Sequence, residues 1–265
     1  MDALVLTMAL ALAAPAPRPA DAARLAALVK EVRAADYRGD RAALERLDSA
    51  LDAVKDPSLA AYRAYWQGFA RWRRALNGFN EPVWPGDLKS DLEASVARFR
   101  AALVARPDWI EAKIGIVGAS ASLLFLARDD AAEKQKILPE FVPLLRDVTE
   151  NNDDNARALW FTGGMQLGAP PPYGGDAVKA EATLRRGLDA ARREELAGRG
   201  TPAYVPAWGG AENLMNLAYL YSHSAMKDRQ VALAYAEGAL VAAPEWHYVR
   251  DVLMPQIQAL EEARR

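Results

Sequence analysis

"AENLMNLAYLYSHSAMKDRQVALAYAEGALVAAP", Ala211 to Pro244, is the stretch whose reading decides the fold. Leu214, Leu217, Ala218 and Tyr221 recur at steps of three and four, and so do Ala232, Ala236, Ala239 and Leu240. Such steps place side chains on one face of an α-helix. Two helices are therefore predicted, joined by the short polar segment "SHSAMKD" and ended before Pro244, which cannot continue a helix. The inward positions are small, which lets the two backbones approach closely.

Both halves recur elsewhere. The second-helix pattern appears at Ala43, Leu47, Ala50 and Leu51, at Ser95, Phe99, Ala102 and Leu103 before Pro107, and at Ala180, Leu184, Gly187 and Leu188. Ile137, Phe141, Leu144 and Leu145 form a poorer copy, and Pro139 and Pro143 within it predict a kinked or shortened helix. The first positions 43, 95, 137, 180 and 232 are 52, 42, 43 and 52 residues apart. The first-helix pattern precedes each one: Leu25-Leu28-Val29-Val32, Trp66-Phe69-Ala70, Ile114-Val117-Gly118-Ala121 and Trp160-Gly163-Gly164-Leu167. In this register Arg98 and Glu237 face water, whereas Ala102 and Ala239 face a neighbouring helix.

These residues resemble the tetratricopeptide repeat (TPR) family, whose signature is W-x2-L-G-x2-Y, then A-x3-F, then P. The resemblance covers most of the chain after residue 22 and is closest at 211–244. The repeats are degenerate and exceed the family's length of about 34 residues because their loops have grown. The resemblance implies an all-α, TPR-like solenoid: a right-handed superhelix of about five antiparallel hairpins, filling residues 23–265 as one domain. A helix from Trp246 onward would be its cap. By the family's register the inner face of the last repeat carries Glu212, Met215, Tyr219, Ser222 and His223.

Period-2 runs of Val, Ile and Thr are absent, and Pro/Gly clusters fall between the helical stripes. One of them, "APPPYGGD" at 169–176, reads as a turn between two helices: the prolines stop the first, Gly174 and Gly175 permit the reversal, and Asp176 caps the second. A phosphate loop would need a preceding strand and a different glycine spacing. The three consecutive prolines also lack the P-x-x-P spacing of a Pro-rich ligand.

The composition sets further bounds. The chain of 265 residues has no Cys and two His, His223 and His247, which excludes disulfides, thiolate chemistry and His-rich metal sites. A net charge of −2 gives no electrostatic case for nucleic acid. Ala3 to Ala14 is an apolar run with a single Thr, too short to span a bilayer but of signal-peptide length. Small-x-small sites follow at Ala11–Ala13 and Ala20–Ala22, although the preceding segment holds Asp2 and no basic residue. Residues 1–22 are read as a leader and the protein as periplasmic or secreted, without a stable transmembrane anchor. If the segment is not a signal, the protein is cytoplasmic.

Candidate sites are few. "AYRAYWQGFARWRR" (61–74) is either a core helix or an aromatic groove flanked by Arg71 and Arg74. The loops holding Trp84, Tyr204 and Trp208 either bind a partner or fold back over helix ends. "TENNDDNA" (149–156) lacks the spacing of a calcium loop, so Asp153 or Asp154 is read as a helix cap. Neither His has a nucleophile or a second His at motif spacing, so no catalytic residue, metal or cofactor is expected. Three functions follow: a non-enzymatic scaffold for a protein or peptide, a periplasmic small-molecule-binding solenoid similar in general type to the TPR proteins of TRAP transporters, and an all-α enzyme. An open, mixed polar inner groove would favour the first, and a large apolar cavity the second. No constellation supports the third.

Overall fold

The structure is a computed structural model that describes residues 16–152, 154–171 and 174–260. Among these residues the regular structure is entirely helical. In chain order the helices are α1 (Pro19–Tyr37), α2 (Arg41–Leu51), α3 (Ala60–Gly78), α4 (Pro85–Ala105), α5 (Ile110–Leu126), α6 (Ala131–Glu150), α7 (Ala156–Gly168), α8 (Ala177–Ala197), α9 (Gly210–His223) and α10 (Arg229–Ala242). A π-helical segment, Tyr248–Leu253, then leads into α11 (Met254–Ala259). Ala11–Ala13 lies outside the described residues. The boundary expected at residue 22 falls inside α1.

Aspartates start four of the five even-numbered helices. Asp40, Asp130, Asp176 and Asp228 each accept backbone N–H groups of the first turn of α2, α6, α8 and α10. These N–H groups have no partner within the helix, so each carboxylate satisfies donors the helix leaves free. Asp176 and its turn are as read from the sequence: the Gln166 carbonyl accepts from the Asp176 N–H at 2.8 Å, and Gly174 has a φ of 90°. One expectation needs correction. The cap of α7 is Asn155, whose side chain accepts from the Arg157 and Ala158 N–H groups, while the exposed Asp154 pairs with Arg193; Asp153 lies outside the described residues. The prolines of α6 do not shorten it. Pro139 and Pro143 are one turn apart on its exposed side, where the carbonyls they leave without donors can meet water.

Each helix packs on the next in sequence, and α1, α3, α5, α7 and α9 also touch one another in that order. Two cores result. The first is aromatic: Tyr65, Trp66, Phe69 and Trp72 of α3 meet Phe99, Trp109, Tyr204 and Trp208. Glycines on α5 make room for these rings. A Cβ on Gly115 would lie 2.4 Å from Phe99 Cζ, and one on Gly118 would lie 2.2 Å from Trp72 Cζ2. The second core is built on Ala211, Ala218, Ala232, Ala236, Ala239 and Ala243, and Trp246, Val249, Leu253 and Ile257 close it.

The end of α1 meets the C-terminal segment. The Tyr37 and Trp246 rings are 5.0 Å apart, and Arg38 is 3.4 Å from Glu245. Beside them lies a buried charge network: Arg73 Nε donates to Asp36 at 2.7 Å, and Tyr37 Oη donates to Glu212 Oε1 at 2.9 Å. Segments more than 200 residues apart in sequence thus meet here, through the Tyr37–Trp246 ring contact and the exposed Arg38–Glu245 pair.

Candidate functional site

The residues singled out in the sequence do not come together at one place: Trp208 and Glu212 line one cavity, and Met215 and Tyr219 another. Arg71 and Arg74 are ion-paired between α2, α3 and α4, Arg71 with Asp48 at 2.6 Å and with Asp91 at 3.2 Å, and Arg74 with Glu45 and Asp91. The helix "AYRAYWQGFARWRR" is core. Trp84 is 71% exposed beside Gly86. Tyr204 and Trp208 fold inward and are not presented to a partner. The Tyr204 carbonyl accepts from Trp66 Nε1 at 2.7 Å, Trp208 Nε1 donates to Tyr65 Oη at 2.8 Å, and the Trp208 carbonyl accepts from Arg157 at 2.7 Å. Burial of the indole and phenol rings outweighs the loop's freedom once their polar atoms find partners.

Glu212 is 1% exposed. It accepts from the Gly209 N–H, so it caps α9, and it lies 3.5 Å from Arg33. Burial opposes its ionisation, but the Arg33 and Arg73 guanidiniums hold its carboxyl below the usual range. In the same network burial pushes the Asp36 carboxyl up, against the opposing effect of Arg73. These groups form a structural junction. His223 is exposed and stacks on Tyr219 with centroids 4.1 Å apart. Met215 and Tyr219 do share a cavity.

An apolar cleft is assembled by α3, α5, α7 and α9. Its volume is about 560 Å³, within the range of small-molecule sites. Trp72 and Leu76 of α3 and Phe79, which follows its last residue, stand on one side of it, at steps of four and three. Gly118, Ala121, Ser122 and Phe125 line it from α5, Trp160, Phe161, Gly164 and Met165 from α7, and Asn216 from α9. Phe79 and Phe125 meet edge to face at 5.9 Å, and Phe125 is 58% exposed. Trp72, Trp160 and Trp208 pack together at 5.3 to 6.1 Å, so the inward-folded loop braces the rings that line the cleft. The buried indole N–H groups of Trp72 and Trp160 have no acceptor among the described residues.

No ionisable side chain lines this cleft. Its chemistry is therefore contact and exclusion of water, with Ser122, Asn216 and the indoles as its polar groups. Among the described residues no group of three His, Cys, Asp or Glu could hold a metal ion. Among the same residues no helix is long and apolar enough to cross a membrane. Sequence reading placed Trp160 and Gly164 in a repeat but did not identify the cleft. The available signal was the pairing of Trp72, Leu76 and Phe79, at and just past the end of ring-rich α3, with the small residues Gly118, Ala121 and Ser122 of α5. Comparison with known proteins finds no family model, no curated protein and no solved structure that matches the chain.

Proposed function

We propose that the chain is a TPR-like binding protein and that its ligand is a small apolar molecule held in the cleft between α3, α5, α7 and α9. The pairs α1/α2 through α9/α10 are read as five hairpins of a right-handed superhelix capped by α11. The ordered contacts among the odd-numbered helices support this reading. The cleft then lies on the inner face. Its wide apolar lining carries the functional reading and favours a small molecule over a peptide, whose backbone would need more hydrogen-bonding groups than Ser122 and Asn216 supply. Insertion of a partner's apolar side chains is the second reading, favoured by the exposure of Phe125 at the cleft. The protein is placed in the bacterial cell envelope on the apolar run Ala3–Ala14. It is read as non-enzymatic, without metal or cofactor.

The test is binding of the neutral fluorescent probe N-phenyl-1-naphthylamine to the full chain. Ala121 lines the cleft and is half-buried, so Ala121→Trp should fill it while leaving the helices in place. Probe fluorescence should rise with the wild type and be lost with Ala121→Trp at unchanged circular dichroism. Equal binding by both would move the site elsewhere.

A further inference from the structure

The cleft has a neighbour. A second cavity of about 260 Å³ lies against α7, α9 and the π-helical segment, and Gly164 and Asn216 line both. The two volumes therefore adjoin across one glycine and one amide. Together their linings extend from the Phe79–Phe125 pair, past Trp72 and Trp160, to Tyr219 and Tyr248.

Its two ends differ in chemistry. The α3–α5 end offers rings and aliphatic carbons. The far end offers two phenols beside the Asn216 amide. Neither cavity is lined by Lys, Arg, His, Asp or Glu, and His223, although stacked on Tyr219, lines neither. The far end also lies at Leu167 and Gly168, the last two residues of α7. Helix C-termini carry a partial negative charge, which disfavours an anionic group there. No carboxylate lines the chamber to balance an ammonium. Burying either ion without a partner is costly. Burial of Tyr248 beside Tyr219 pushes its phenol up to about 12, so it stays a hydrogen-bond donor at neutral pH.

Resting on the reading of the cleft as a ligand site, we infer that the ligand is an uncharged single-chain amphiphile: its hydrocarbon lies in the larger chamber and its hydroxyl-type head meets Tyr219, Tyr248 and Asn216. The larger chamber supplies apolar contact along a chain, and the smaller one satisfies a single neutral polar group. A symmetric hydrocarbon would leave the phenols unused, and a charged head would lack a counter-charge.

The experiment is displacement of bound N-phenyl-1-naphthylamine by three twelve-carbon competitors below their critical micelle concentrations at pH 7: dodecan-1-ol, dodecanoate and dodecyltrimethylammonium. The alcohol should displace the probe at a concentration about tenfold or more below either ion. Tyr219→Phe and Tyr248→Phe should each weaken the alcohol about five- to tenfold at unchanged circular dichroism. Equal or better displacement by either ion overturns the inference. So does an alcohol affinity unchanged in both variants. If the probe binds in the cleft but the competitors show no preference, only the amphiphile assignment falls. If the probe does not bind at all, the proposed function falls with it.

Discussion

The α3 helix and the α9–α10 pair follow the same helical spacing, yet they solve packing in opposite ways. On α3, Tyr65, Trp66, Phe69 and Trp72 are all buried, and α5 answers with Gly115 and Gly118. Between α9 and α10 the buried positions of the second core are Ala211, Ala218, Ala232, Ala236 and Ala239, so the backbones come together, and the rings that span the pair, Tyr221 and Tyr235, stack 5.9 Å apart and are only partly buried. Side-chain size thus sets the separation between helices, while the period sets only which face turns inward. The ring-filled side borders the apolar cleft at Trp72, Leu76 and Phe79; the cavity beside the alanine seam, at Ala211, Leu214 and Ala242, is smaller and is lined by Arg33, Glu194 and Glu212 as well.

The largest effect that would break this comparison comes from placing a charge in the alanine seam. Ala239 is fully buried, so Ala239→Glu strands a carboxylate at a cost of several kcal/mol, against a total stability of about 5–15 kcal/mol. The variant should be recovered aggregated or melt far below the wild type, while Glu237→Lys on the exposed side of the same helix should melt close to it. Equal melting of the two variants would remove the register. Arg98 is not an equivalent control on α4: it is only partly exposed and lies 4.0 Å from Asp48, so it does not simply face water.

The next effect separates the two packing modes. Trp72→Ala removes a ring from between Gly118, Phe69 and Trp208 and should cost about 3–5 kcal/mol in urea unfolding. The reciprocal change, Ala236→Leu, overfills the seam and should cost about 1–3 kcal/mol. If Ala236→Leu is neutral, the seam has slack and the backbones are not held at alanine distance.

The smallest effect is a pH dependence at Asp56. Asp56 accepts from the backbone N–H of Arg18 and from Ser58, and these bonds hold its carboxyl at about 2. A folded pKa below the unfolded value of about 3.9 adds stability above that value, and the contribution is lost as pH falls toward 2. Asp56→Asn should therefore melt below the wild type near neutral pH and converge with it near pH 2. A gap that persists in acid would show that the carboxylate's charge is not what matters.

Part of this was legible before any coordinates. The helical stripes, the Asp176 cap and the turn at 169–176 follow from steps of three and four and from the preferences of Pro, Gly and Asp. Ala102 and Ala239 are buried as the register places them. The roles of Arg71, Arg74, Tyr204, Trp208 and Glu212 were not legible in the same way. A loop holding two rings among prolines reads equally well as a lure for a partner and as a lid on a core.

What the sequence determined by itself is local: where helices begin and end, and which face of each is apolar. That follows because capping and periodicity involve residues within a few positions of one another. Only the tertiary structure decided that Trp208 hydrogen-bonds Tyr65, 143 residues away, that Glu212 meets Tyr37, 175 residues away, and that four helices enclose an apolar cleft. Those outcomes depend on which side chains become neighbours once the helices stack. The period leaves that choice open, and the sizes of the facing residues, ring against glycine or alanine against alanine, decide it.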